Sequence, residues 1–188
     1  MDTTALVLCG GDSRRLGSDG ADKTAAPLGA TTVLDHLLDA LPAEWPVVAV
    51  GLERPTRRSV RWTRESPAGG GPVAAVAAGL PLVDTDLLVV LAGDMPFAAG
   101  AATRLAATLH DDPTTDAVVA ADPGGRPNPL LAAYRATALR DALPHPPANA
   151  AARSLLAVAH ATAPVGERDS LDVDTPEALA AARRRVEP

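Results

Sequence analysis

The sequence predicts an α/β fold: a single domain over residues 1–188, built on a mostly parallel sheet with helices covering both faces as three layers. Two observations carry that expectation. Strand and helix patterns alternate over the first about 120 residues, and the two strongest strands, Thr4 to Cys9 and Asp86 to Ala92, are apolar without a polar face, as strands buried on both sides are. A chain that is 47% apolar and 21% charged has the material for one such core and is not a disordered one.

Each element follows in order. The run Thr4 to Cys9 is a strand ended by Gly10-Gly11. Thr31 to Leu41 places Val33, Leu34, Leu37, Leu38 and Leu41 at helical spacing, with Asp35, His36 and Asp39 on the opposite side. Trp45 to Val50 and Ser59 to Thr63 are the next strands, joined by a polar segment containing Arg54-Pro55. After the loop Gly69-Gly70-Gly71, Pro72 opens a helix through Leu80, where its missing N–H would have no partner anyway. Asp86 to Ala92 is the central strand and breaks at Gly93-Asp94-Met95-Pro96. Ala98 to Leu109 is a helix, Asp116 to Ala121 a strand, and Pro129 to Tyr134 a shorter one. Pro144, Pro146 and Pro147 make Asp141 to Ala152 a loop or a hinge. An acidic or hydroxyl cap, a first-turn proline and a glutamate in Asp174-Thr175-Pro176-Glu177 start an Ala-rich helix through Arg185.

Composition excludes several function classes. A net charge of −6 offers no broad cationic field for a polynucleotide, so no nucleic-acid partner is expected. Cys9 is the only cysteine and lies in an apolar run, which predicts a buried, inert thiol. Met1-Asp2-Thr3-Thr4 lacks a cationic start and apolar stretch, and no segment has the length of a membrane span. The expectation is a cytoplasmic protein with no membrane partner.

The chemistry concentrates in strand-end loops. The first reads LCGGDSRRLGSDGADKT, from Leu8 to Thr24. Paired glycines after a buried strand let backbone N–H groups approach an anion, and Arg15 and Lys23 add positive charge, which suits a triphosphate. Neither the Walker pattern nor the GxGxxG spacing is present, and on this feature alone the glycines also suit a simple turn. Lys23 is the only lysine, every other one of the 17 basic residues being Arg. Retained in so Arg-rich a chain, it points to a place for a compact ammonium between phosphate oxygens, chance placement being the other reading.

Asp94 ends the best strand, where open parallel sheets bind ligands. One carboxylate with substrate phosphates and waters is how Mg²⁺ is usually held; capping a turn is the other role open to it. Glu65 ends another strand, where a carboxylate accepts from the N–H edge of a guanine or stands in solvent. His36, His110, His145 and His160 have no metal-ligand spacing and read as surface or helix-face residues. No GxSxG elbow or Cys/His pairing suggests covalent catalysis. Asp172 and Asp174 flank Val173 and read either as a strand end capping the final helix or as site residues.

Taken together, these residues resemble the molybdenum cofactor guanylyltransferases, MobA-like nucleotidyltransferases with the signature LAGGxSxRMGxDKxxLxxxGxxLL. The corresponding stretch here is Leu8-Cys9-Gly10-Gly11-Asp12-Ser13-Arg14-Arg15-Leu16-Gly17, then Asp22-Lys23, then Leu28-Gly29. Glu65-Ser66-Pro67 and Gly71-Pro72-Val73-Ala74 resemble the family's acidic residue and GPLAG loop. Gly93-Asp94-Met95-Pro96, Asn128-Pro129-Leu130 and Asp172-Val173-Asp174-Thr175-Pro176-Glu177 resemble its D-x-P, polar-Pro-apolar and xVxTPE segments, in family order. The resemblance implies a Rossmann-like fold of the nucleotide-diphospho-sugar transferase type. It also implies transfer of GMP from GTP to the phosphate of molybdopterin carrying molybdenum, with release of pyrophosphate.

By the same resemblance, Leu8, Cys9, Gly10 and Gly11 line the nucleotide, Gly71 belongs to its loop, and Glu65 helps read guanine. Arg15 and Lys23 neutralise the triphosphate, Asp94 holds Mg²⁺, and Asn128, Arg153, Asp172 and Asp174 face the pterin. The implied partners are GTP, molybdopterin and proteins of molybdenum cofactor biosynthesis.

Three departures accompany it. The stretch between Arg15 and Lys23 is longer than the family spacing, Cys9 replaces an alanine, and Asp172 and Asp174 replace asparagines common in guanylyltransferases. Those aspartates resemble the DxDTP ending of cytidylyltransferase-like relatives. A CMP transferase of the same cofactor, a nucleotidyltransferase of another phosphorylated metabolite, and a non-catalytic nucleotide-binding paralogue are therefore the alternatives. Gly10, lacking a Cβ, leaves room for a purine, and retention of Lys23 and Asp94 favours turnover.

Overall fold

In the computed structural model, residues 2–10 and 22–186 are described. The apolar run after Asp2 becomes β1 (Thr3–Leu8), followed by a small hairpin of β2 (Pro27–Leu28) and β3 (Thr31–Thr32). The hairpin feeds α1 (Val33–Ala40), whose first turn is closed by Thr32 Oγ1 accepting from the Asp35 N–H at 3.0 Å. Then come β4 (Val47–Val50), β5 (Arg61–Thr63), α2 (Gly71–Gly79), β6 (Leu87–Ala92), α3 (Ala99–Asp111) and β7 (Ala117–Ala121). The chain ends with β8 (Pro127–Arg135), α4 (Ala136–Ala142), β9 (His160–Pro164) and α5 (Pro176–Val186).

The main sheet has seven strands in the order β5-β4-β1-β6-β8-β7-β9. Every pairing is parallel except those of β8, which runs antiparallel to both β6 and β7. The mostly parallel α/β sheet read from the sequence is the one observed.

Alternation along each strand divides the apolar residues between two layers. Ala5 and Val7 of β1 pack with Leu34, Leu37 and Leu38 of α1 and with Leu105 of α3. Leu6 and Leu8 face the other way, onto Val73 and Val76 of α2. That is why β1 and β6 read as unbroken apolar runs. At Gly79 a Cβ would come 2.3 Å from Leu6 Cδ1 and 3.0 Å from Val50 Cγ2, so only a bare backbone lets α2 lie this close to the sheet. A third cluster joins Leu179 and Ala182 of α5 to Leu28, Val33 and Phe97. Thr175 Oγ1 caps α5 by accepting from the Ala178 N–H at 3.1 Å, so the hydroxyl supplies this cap, not Asp174.

Three elements differ from the sequence expectation. The short strand Pro129 to Tyr134 is a nine-residue strand, Pro127–Arg135. A register shift between Val119 and Ala120 leaves Pro129 opposite no β7 residue, so the missing proline N–H breaks no ladder bond there. Asp141 to Ala152 is irregular only from Leu143 on, since α4 precedes it, and it is anchored, the Asn149 N–H donating to Gly70 O at 2.7 Å. The edge strand β9, mostly exposed and of sequence HATAP, has no apolar pattern to betray it. No helix among the described residues is long and apolar enough to cross a membrane.

One side chain closes the end of α1. Arg58 donates to the carbonyls of Leu38, Leu41, Pro42, Ala43 and Trp45. The arginine fork thus ties the last turn of α1 to the turn that follows its C-cap, Leu41. Arg58→Ala is expected to cost about 2 kcal/mol. Read by thermal unfolding, that is a Tm lower by about 4–8 °C for a chain of this size; an unchanged Tm would show that water replaces the arginine without loss.

Candidate active site

The parallel strands β1, β4, β5 and β6 all end on one edge of the sheet, and their carboxyl-end loops meet there. Hydrogen bonds knit those loops one residue beyond the strands. The Gly93 N–H donates to Leu8 O at 2.9 Å, the Cys9 N–H to Val50 O at 2.8 Å, and the Gly51 N–H to Thr63 O at 2.9 Å. A Cβ on Gly93 would stand 3.1 Å from Leu8 O and 3.2 Å from Cys9 Sγ, so a glycine is what lets the β6 turn close over β1.

That turn delivers Asp94, only 8% exposed, into an ion pair with Lys23. Lys23 opens a 3-10 turn, Lys23–Ala25, whose cap is Asp22: Asp22 Oδ1 accepts from the Thr24 N–H at 2.9 Å and the Thr24 hydroxyl at 2.6 Å. The backbone of Asp94 is engaged as well, its carbonyl accepting from the Val173 N–H at 2.8 Å. An ammonium and a carboxylate carried by distant loops are thus brought to one point.

Cys9 lies beside them, buried and unpaired by any disulfide. Burial pushes its thiol up to about 12, while the Arg54 guanidinium pulls the other way and Asp22 and Asp94 add to the rise. A thiol so disposed is not a nucleophile at neutral pH.

Glu65 faces Gly10 across the sheet end, since a Cβ on Gly10 would lie 3.9 Å from Glu65 Oε1. Oε1 accepts from the Gly69 N–H at 3.0 Å, and Oε2 is buried with no hydrogen-bond partner among the described residues. Gly71 is the first residue of α2, beside the anchored segment that includes Asn149.

The remaining residues lie around the Asp94 turn or apart from it. Asn128 Nδ2 is 3.8 Å from Met95 Sδ, and Asn128 and Asp172 line a cavity of about 610 Å³ together with Asp122, Arg126, Glu167 and Ser170. Asp172 and Asp174 flank the buried Val173 that bonds Asp94, in irregular chain and not at a strand end. Arg153 is exposed on the 3-10 turn Ala152–Ala157, on the α2 side of the sheet. Gly11 and Arg15 lie outside the described residues.

Sequence reasoning missed Arg54 of the loop after β4. Its Nη1 donates to Asp22 Oδ2 and, at 2.7 Å, to Thr24 Oγ1. The available signal was its place after the carboxyl end of a parallel strand, a loop left out of the sequence-based set.

Chemically, the arrangement offers one ammonium to neutralise an anion and one carboxylate to hold a cation. Among the described residues no three His, Cys, Asp or Glu side chains form a metal cluster. The donor set therefore suits a cation that arrives with oxygens of its own, such as Mg²⁺ on a polyphosphate.

Known proteins resemble this chain along most of its length. The MobA-like NTP transferase domain family matches residues 5–165. A molybdenum cofactor guanylyltransferase of Mesorhizobium japonicum is 35% identical over 154 residues, covering 77% of this chain and 72% of that protein. A putative molybdenum cofactor guanylyltransferase of Neisseria meningitidis serogroup B is 32% identical over 52% of this chain, which spans 54% of its length. Among solved structures, molybdopterin-guanine dinucleotide biosynthesis protein A from Archaeoglobus fulgidus superposes with a TM-score of 0.74 at 22% identity over 97% of both chains. A nucleotidyl transferase from Methanothermobacter gives 0.77 at 18% identity, over 98% of this chain and 97% of that one. The structural likenesses establish the shared fold.

Proposed function

We infer that this chain, which belongs to the MobA-like NTP transferase family and is a nucleotidyltransferase of that type, transfers GMP from GTP to the phosphate of molybdopterin carrying molybdenum. The single observation that carries the reading is the meeting of Lys23 and Asp94 at the carboxyl edge of the sheet. In the reaction a phosphate oxygen of the acceptor attacks the α-phosphorus. The bond from that phosphorus to its bridging oxygen breaks, and pyrophosphate leaves. An acceptor phosphate is already ionised near neutrality, so the site needs no general base, in keeping with the inert Cys9 thiol.

Lys23 neutralises the triphosphate, with Arg15 as the second cation, and fixes it for in-line attack. Asp94 is the residue that would hold Mg²⁺. When bound, the metal would cancel charge gathering on the phosphate oxygens. Leu8, Cys9 and Gly10 form the wall behind the nucleotide, with Gly71 at the start of α2; Gly11 is assigned to the nucleotide as well. Glu65 reads the base: its Oε2, buried without a partner, is an acceptor suited to the N–H edge of guanine. The cavity lined by Asn128 and Asp172 is the acceptor side, to which Asp174 and Arg153 are also assigned. Exposed Asp172 brings negative charge there, which favours the pterin ring over the phosphate as its neighbour.

The test is a thermal-shift titration of GTP, CTP and ATP, each with Mg²⁺, because a ligand bound only by the folded chain raises Tm. GTP is expected to give the largest shift, and Glu65→Gln to erode its advantage by about tenfold in dissociation constant, the scale of one lost polar contact. A larger shift with CTP would turn the assignment to the cytidylyl alternative.

A further inference from the structure

Lys23 is flanked by two residues that a third side chain holds. Arg54 Nη1 donates to both Asp22 and Thr24, the neighbours of Lys23 on either side. The Arg54 guanidinium is placed in turn by the Trp62 ring of β5, 5.6 Å from its centroid, and by the loop that leaves β4. Its side chain is 17% exposed, and its Nε and Nη2 are buried with no hydrogen-bond partner among the described residues. A guanidinium selected for stability alone would pair those donors. This one leaves two nitrogens unsatisfied while its third clamps the segment that bears the phosphate-binding cation.

We propose that Arg54 is the positioning residue for Lys23. Its reach from the β4–β5 side fixes the 3-10 turn, and so the direction in which the ammonium projects. The sheet thereby sets the cation's place through a side chain that does not itself touch the nucleotide. The proposal rests on the reading of Lys23 as the group that binds the triphosphate.

The test is a double-mutant cycle on the dissociation constant for GTP with Mg²⁺, using wild type, Arg54→Ala, Lys23→Ala and the double variant. Arg54→Ala is expected to weaken GTP binding about tenfold, and the double variant to bind within about twofold of Lys23→Ala alone, because a positioning group has nothing left to position. Arg54→Lys, which keeps the charge but not the fork, is expected to recover part of the loss. Should Arg54→Ala fail to fold, Arg54→Lys runs the same cycle. A merely structural role would give losses that multiply, and that result overturns the proposal, as does wild-type affinity in Arg54→Ala. Wild-type affinity in Lys23→Ala would overturn the reading of Lys23 and the proposal with it. Weak binding by Lys23→Ala beside normal binding by Arg54→Ala would sink the proposal alone.

Discussion

Asp94→Asn is expected to lower the rate of nucleotidyl transfer by about a thousandfold, the scale on which a group stabilising transition-state charge acts. Asparagine keeps the shape of the side chain at the β6 turn, so Tm should stay within a few degrees of the wild-type value while pyrophosphate release nearly stops. What disappears is the negative charge that Lys23 now pairs with and that a divalent cation needs. Backbone contacts of the turn, including Asp94 O with the Val173 N–H at 2.8 Å, are untouched by the change. Transfer within tenfold of wild type would remove Asp94 from the chemistry.

Lys23→Ala is expected to lower kcat/KM by about a hundredfold, most of it through weaker nucleotide binding, because the ammonium acts on ground state and transition state alike. Lys23→Arg should restore little. A planar guanidinium is wider than an ammonium, and the 3-10 turn that carries it is fixed at Asp22 and Thr24. Steady-state kinetics of pyrophosphate release against GTP concentration separate the two parameters. Unchanged kinetics in Lys23→Ala would mean that the loop after β1 serves another purpose.

Much of this was legible in the sequence, for reasons that particular residues make plain. β1 and β6 announce themselves because each feeds two apolar layers and then meets glycine. Asp94 follows from the break after β6, and Lys23 from being the only lysine in an Arg-rich chain. The parallel run of β1, β4 and β6 was legible from the alternation of strand and helix, but the reversal at β8 was not, since its apolar pattern carries no polarity. β9 lies mostly exposed at the sheet edge, where nothing selects for apolar residues. Arg54 was hidden twice over, as one of many arginines and as a group whose partners lie about 30 residues earlier in the chain. Only the crossing of β4 beside β1 brings them together. The role of Thr175 was half visible, because the sequence offered a carboxylate and a hydroxyl for the same cap and geometry chose the hydroxyl.

The reversal at β8 has a consequence for how such an enzyme diversifies. Because β7 and β9 again run with β6, the ligand-facing rim continues past Asp94, yet its far stretch hangs from a different set of supports: a hairpin turn and the segment leading to α5. Insertions or exchanges in that stretch leave the covalent anchors of Lys23, Arg54 and Glu65 undisturbed. Under the proposed assignment of the site, the scaffold is in effect two workbenches sharing one vice, so new acceptors can be tried on one bench while the nucleotide stays clamped on the other.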